Sequence, residues 1–228
     1  MPAPSASIMY GFWRASYTQQ QTPYVDEYTL KLFAEIERAW ILWQNGITFG
    51  GLTVTGAGIG GWSGIGTGGT ASENTKFKIS PFPFYQTTEQ HRKFILGLSY
   101  ALEKKFSEWA KNFTLSTVQY VGGSTASPTS PGNFTASVSP MPVGTLVTNN
   151  VDGIAELWKE KLTVPDFNID HPQARTKEMV AAVSGAIEKS FKTLWALSTT
   201  INGSTASGLA SVGVGAGNGT SQKDGKLL

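Results

Sequence analysis

Few side chains in this sequence are of the types that do chemistry, and their spacing decides how far each can go. The two histidines, His91 and His171, lie far apart along the chain. Either could serve as a general base beside a serine and a carboxylate. No G-x-S-x-G elbow is present, however, and Gly61-Trp62-Ser63-Gly64 has neither its spacing nor its context. His91 sits beside Arg92 in the opening turns of an expected helix, where solvent exposure is explanation enough. Asp166-Phe167-Asn168-Ile169-Asp170 opens like a D-x-N-x-D calcium loop, which requires Gly at its sixth position and a bidentate Glu at its twelfth. His171 and Lys177 stand there instead. Gly56-Ala57-Gly58-Ile59-Gly60-Gly61 matches G-x-G-x-x-G after an apolar run, but that fingerprint seats a pyrophosphate on the N-terminus of a following helix. Trp62 to Gly69 is too glycine-rich to be that helix. Cysteine is absent, which removes disulfides, thiolate ligands and Cys nucleophiles together. No catalytic residue, metal ligand or cofactor is assigned, and the chain is not expected to be an enzyme.

One further set of titratable residues recurs: Glu37-Arg38, Glu103-Lys104 and Glu188-Lys189. Each pair belongs to a longer pattern, Ile36 to Trp43, Leu102 to Trp109 and Ile187 to Leu194. In this pattern an aliphatic residue, an aromatic and a Trp or Leu fall at i, i+4 and i+7 on one helical face. The glutamates then read as the polar flank of an amphipathic helix. Three helices are expected, near residues 26–44, 88–111 and 174–197, with Ile36, Trp40, Leu102, Phe106, Ile187 and Phe191 buried. A capping box of Thr87 and Gln90 opens the second, and a short helical turn is expected within 151–164.

After each copy the chain turns to Gly, Ser and Thr. Ile47 to Thr55 and Phe113 to Val121 read as strands, Thr199 to Leu209 as extended. Gly56 to Gly69 reads as a loop, Gly122 to Pro142 as a loop around a short Asn133 to Val138 run, and Phe77 to Tyr85 as a Pro-broken connector. The expected class is α+β: an extended N-terminal arm over 1–24, a body over 25–210 and a flexible Gly-rich tail over 211–228. Within the body, approximate repeats span 25–80, 86–145 and 172–210. A short echo, Gly-Ser-Thr-Ala-Ser, occurs at 123–127 and 203–207.

Composition narrows the partners. Charged residues make up 15% and the formal net charge is +2, with no basic run, so neither nucleic acid nor an anionic membrane is an expected partner. No stretch reaches the roughly 20 apolar residues of a membrane span. The opening residues lack the basic and apolar regions of a signal peptide, so synthesis without export is expected. The arm carries Tyr10, Phe12, Trp13 and Tyr17, a density of rings that suits anchoring against a surface of the same chain or of a neighbour. With Trp62, these rings are the expected assembly contacts.

The helices with W-x-x-W-type ends and their Thr/Gly-rich continuations (Trp40 to Thr70, Phe106 to Thr125, Phe191 to Thr205) resemble small virion proteins of tailed bacteriophages. The resemblance implies a head, neck, tail or baseplate component. Such a chain is made in the host cytoplasm, located in the virion, and partnered by its own copies and by other structural proteins. The competing reading is a carbohydrate-binding or adhesin-like module in which Trp13, Trp62 and Tyr120 stack on sugar rings.

Overall fold

The computed structural model describes residues 4–19, 21–83, 89–112, 114–115, 118–127, 129–138, 141–142, 153–162, 176–197, 200–202, 204–211, 217–222 and 225–227. Ser5 opens the first element: its side chain accepts a hydrogen bond from the Ile8 amide and starts helix α1, Ala6–Ser16. The 1–24 stretch is thus not an extended arm. Its prolines at 2 and 4 precede a capped helix that buries Met9 and Trp13, and Pro23 is the first residue of the next one. Helix α2, Pro23–Gly46, is capped by Thr22 and runs straight into strand β1, Ile47–Gly50. Strands β2 (Thr53–Ala57), β3 (Gly60–Thr67) and β4 (Gly69–Glu73) follow. Helix α3, Glu89–Asn112, leads to β5 (Thr114–Leu115), β6 (Val118–Ser124), β7 (Gly132–Val138) and β8 (Met141–Pro142). Helix α4, Ile154–Leu162, precedes helix α5, Thr176–Leu197, and then β9 (Thr200–Asn202), β10 (Thr205–Ala210), β11 (Gly217–Ser221) and β12 (Gly225–Leu227). The class is α+β. Thr87 of the expected capping box lies outside the described residues.

Strand pairing follows one rule three times. Each of α2, α3 and α5 is followed by four strands. The middle two of every set enter a closed six-stranded barrel, ordered β10-β11-β2-β3-β6-β7, and the outer two enter a second sheet, ordered β5-β4-β1-β12-β9-β8. In both layers each set pairs with the one before it, β6 on β3, β10 on β7 and β2 on β11 in the barrel. In the second sheet the partners are β5 on β4, β9 on β8 and β1 on β12. The third set therefore returns to the first, and the arrangement is cyclic and threefold. Residues 217–221 and 225–227, read from sequence as part of a flexible tail, are the strands that close it. The third repeat continues past its expected end at residue 210 for the same reason. The Gly-Ser-Thr-Ala-Ser echo falls at non-equivalent places, the end of β6 and the start of β10, and carries no structural repeat.

The three long helices meet at their repeated aromatic. Ring centroids of Trp40 and Phe106 are 5.1 Å apart, Trp40 and Phe191 4.7 Å, and Phe106 and Phe191 5.1 Å. One turn earlier Ile36, Leu102 and Ile187 are all fully buried. Each groove between long helices has its own filling. Helix α1 packs on α2 and α5, and α4 packs on α3 and α5. Residues 77–83 line the third groove without regular structure, Phe77 against Phe106, Ile79 bonded through its amide to Ser99 Oγ at 2.9 Å, and Phe82 against Tyr28.

The barrel explains the glycines. Leu209 pairs with Asn218, Asn218 with Thr55, Thr55 with Ile65 and Ile65 with Gln119, while on its other side Leu209 pairs with Asn133, whose carbonyl accepts from the Thr125 amide. One circuit thus steps from Gln119 to Thr125 on β6. That stagger in six strands spaced about 4.8 Å apart gives a backbone cylinder only about 12 Å across. Trp62 and Tyr120 fill most of it, with Val54, Val118, Ala136, Ala206 and Ala210. Little room is left for other Cβ atoms. A methyl on Gly56 would overlap the Ser63 carbonyl and come within 2.6 Å of the Trp62 ring, and one on Gly66 would lie 2.7 Å from Tyr120. So Gly56 to Gly69 is not a loop: its interior positions are glycine because they face large rings across a narrow barrel. Most of Gly122 to Pro142 is likewise β6, β7 and β8 rather than loop. Where the chain crosses between the second sheet and the barrel, Gly51 and Gly68 take φ of 74° and 79°, which side chains other than glycine rarely adopt.

Two expected outcomes follow. Phe106→Ala should lower unfolding free energy by about 3–5 kcal/mol in urea titration, because it empties the point where three helices touch; a wild-type midpoint would show that the ring triangle is not the core. Gly56→Ala should cost about 1–3 kcal/mol by overpacking. Gly61→Ala, with open space around its Cβ, should change thermal stability little, and equal losses at the two sites would count against a packed interior.

Candidate assembly interface

The expected contact rings turn inward. Helix α1 places Trp13 and Tyr17 in the core, stacked with centroids 5.0 Å apart, with Tyr10 5.5 Å from Trp13. Tyr10 and Phe12 are half-buried, and the Lys189 ammonium lies 4.5 Å above the Phe12 ring. Trp62, an inward position of β3, is 1% exposed inside the barrel. The helical spacing of Met9, Trp13 and Tyr17 directs that face at α2 and α5, so removing residues 1–22 would uncover the core rather than free a docking arm. Tyr120 is also interior, its hydroxyl 2.8 Å from Ser204 Oγ. The rings considered for sugar stacking are therefore all inside their own chain.

The other sequence candidates separate. His91 is half-buried beside the Tyr28 ring, 5.5 Å between centroids. His171 and Asp166 to Asp170 lie outside the described residues. The G-x-G-x-x-G stretch is the β2–β3 hairpin and its turn, with no helix after it. Among the described residues no three His, Cys, Asp or Glu side chains gather where they could hold a metal ion. Among the described helices none is long and apolar enough to cross a membrane.

The recurrent glutamates do more than flank their helices. Glu37 Oε2 accepts from the Ala6 amide at 2.8 Å, at the start of α1. Glu188 Oε1 accepts from the Gly153 and Ile154 amides at 3.1 and 3.2 Å, at the start of α4. Helices α2 and α5 thus each offer a carboxylate to the positive end of a short helix packed on them. Glu103 holds the same place on α3, where the groove carries the extended 77–83 segment and no helix. Recurrence of Glu at one position was the signal; nothing in the sequence said what it would touch.

Glu73, at the end of β4, ties the sheet to the helices. Its carboxylate accepts from Trp43 Nε1 of α2 at 2.8 Å and from Ser107 Oγ of α3 at 2.9 Å, and it pairs with Lys76. Burial pushes its pKa up, but hydrogen bonds from Lys76, Trp43 and Ser107 outweigh that and hold the carboxyl below its ordinary range. This cluster is a fastening between layers. Lys76 is 58% exposed, so the Trp43 and Ser107 bonds supply most of its worth.

The surface that stands apart is the outside of the barrel. Ile47 to Ser72, Phe113 to Val151 and Thr193 to Gln222 contain no Asp, Glu, Lys or Arg, and every barrel strand lies within them. Ion pairs such as Glu27–Lys31, Glu35–Arg38 and Glu89–Arg92 sit on the helices instead. The outward positions of the barrel are mainly Thr, Ser, Asn and Gln, with exposed aliphatics at Ile65 (46%) on β3, Val121 (56%) on β6 and Leu209 (65%) on β10, and Ile59 (46%) at the turn between β2 and β3. A shallow groove of about 530 Å³ crosses β6, β7 and β10 between Val121, Thr135 and Ser207. Sequence reasoning missed this surface, although its signal, three long charge-free segments, was present.

Replacing Glu73 by Gln should cost on the order of 1–2 kcal/mol at pH 7 through weaker hydrogen bonds. A folded pKa below the unfolded one gives stability that is present above the unfolded value, about 4.3, and lost as pH falls through the folded value. The gap between wild type and Glu73→Gln in chemical denaturation should therefore narrow below about pH 4; a gap constant from pH 7 to pH 3 would contradict the assignment. Compared with family models, curated proteins and solved structures, the chain matches none.

Proposed function

We propose that this chain is a structural subunit of a large protein assembly, a virion component of a tailed bacteriophage in the head, neck, tail or baseplate, acting by packing against other subunits. The observation that carries the reading is the charge-free exterior of the barrel. A surface that stays in solvent gains solubility from mixed charges. Here no barrel strand carries a charge, and the barrel presents hydroxyl, amide and aliphatic groups, which cost less to desolvate against another protein than charges would. The best-placed carboxylates, Glu37, Glu73 and Glu188, are engaged in fastening elements to one another, which supports a non-catalytic role. The carbohydrate-binding alternative draws no support from Trp13, Trp62 or Tyr120, since none presents a face to solvent.

Particles purified from producing cells on a density gradient test this. The chain should band with them in fixed stoichiometry and stay attached through a salt wash, because a contact without charge is little weakened by screening. Finding it only in the free protein fraction, with none on particles, would reject the proposal.

A further inference from the structure

The three long helices carry a glutamate at one equivalent position, and two of the three are occupied. Glu37 accepts from the Ala6 amide at 2.8 Å, and Glu188 from the Gly153 and Ile154 amides at 3.1 and 3.2 Å, each time at the start of a short helix. Glu103 stands three residues before Phe106, as Glu37 stands before Trp40 and Glu188 before Phe191. It is half-buried, and among the described residues it takes part in no hydrogen bond or ion pair. No short helix starts beside it, because Pro81 and Pro83 belong to the segment that fills its groove without regular structure. Glu103 opens instead onto a hollow of about 310 Å³ on the outer side of α3, lined also by Tyr100, Lys104, Ser107, Glu108 and Lys111.

From this we propose that Glu103 is a docking point for the first turn of a helix supplied by another protein of the assembly, whose backbone amides it accepts as Glu37 and Glu188 accept those of α1 and α4. The proposal rests on the assembly reading above and adds a contact on the helical end, apart from the barrel. A helix start joins two chemistries: N–H groups with no acceptor inside the helix, and acidic side chains favoured by its dipole. Asp26, Glu89, Glu156 and Glu178 hold such places in the first turns of α2, α3, α4 and α5. The amides of an incoming helix suit the Glu103 carboxylate, and its acidic side chains suit the ammonium groups of Lys104 and Lys111. Half-buried, the carboxylate has lost part of its water, which an amide donor replaces. A metal ion would meet the two lysines and a phosphate the two glutamates, so each is a poorer occupant.

The test sets wild type against E103A in cells producing particles, the two full chains differently tagged and made in equal amounts. On purified particles E103A should be under-represented by about tenfold, as loss of a charge-assisted hydrogen bond predicts. E103Q keeps an acceptor oxygen and should fall by only about threefold, while E27A, on the exposed face of α2, should be recovered equally with wild type. Urea denaturation of the purified chains separates docking from an internal role: E37A and E188A should lower the midpoint, and E103A should leave it unchanged. Lys104→p-benzoylphenylalanine, irradiated on the particle, should cross-link to another protein within the first turn of one of its helices. Equal recovery of E103A and wild type, or a midpoint lowered as far as in E188A, would overturn the docking point while leaving an assembly role in place. So would no cross-link, or one made to this chain itself or to a segment that opens no helix. Wild type found only in the free protein fraction, with none on particles, would overturn both.

Discussion

The space inside a six-stranded barrel is the constraint on which the rest of this molecule depends. A cylinder so narrow closes only if most inward positions are glycine or alanine, and the few larger side chains must be matched in the interior. Among the described side chains Trp62 and Tyr120 are the large ones, and Gly56, Gly64, Gly66 and Gly122 meet them or the neighbouring strand's backbone at distances that leave no place for a Cβ. The high glycine content is therefore a packing requirement, and its entropic cost on folding is offset by a ladder of hydrogen bonds without free edges. The small core this leaves in the barrel shifts the work of stabilisation to the helical end, where Trp40, Phe106 and Phe191 meet.

Helices were legible in the sequence because their signal lies in what is present: apolar residues at helical spacing identify α2, α3 and α5 and the residues they bury. The barrel was not, because its inward positions are mostly glycine and alanine, and alternation between Gly and Thr has no hydrophobic period to detect. The tail was misread for the same reason; Gly217 to Ser221 holds no apolar residue, yet it pairs along both edges, with β10 and β2. Helix α1 was hidden by prolines that in the structure precede helices instead of breaking them. Of the candidate contacts, sequence reasoning chose the largest rings, and those are the groups a chain has most reason to bury in itself.

Joining three sets of elements in one chain lets each set differ where identical subunits could not. The grooves between the long helices show it: two take a short helix held at its start by Glu37 or Glu188, while the third takes Phe77, Ile79 and Phe82 on an extended segment. The barrel flanks, by contrast, have kept one chemistry. Divergence is concentrated at the helical end and uniformity at the barrel.

Closure of the ring also sets an order of events during synthesis. Strand β2 pairs with β11, and β1 with β12, so the first set waits for residues 217–227 before its edges are covered. Until then a growing polypeptide carries two finished hairpins with open, uncharged edges, the state most prone to pair with a neighbouring nascent chain. Contacts spanning nearly the whole length make the final step slow. The helices emerge before their strands and can collapse around Trp40 and Phe106 early, holding those edges in one molecule until the last hairpin arrives. Slow synthesis near the end, or a truncated product, would leave this protein to the chaperones.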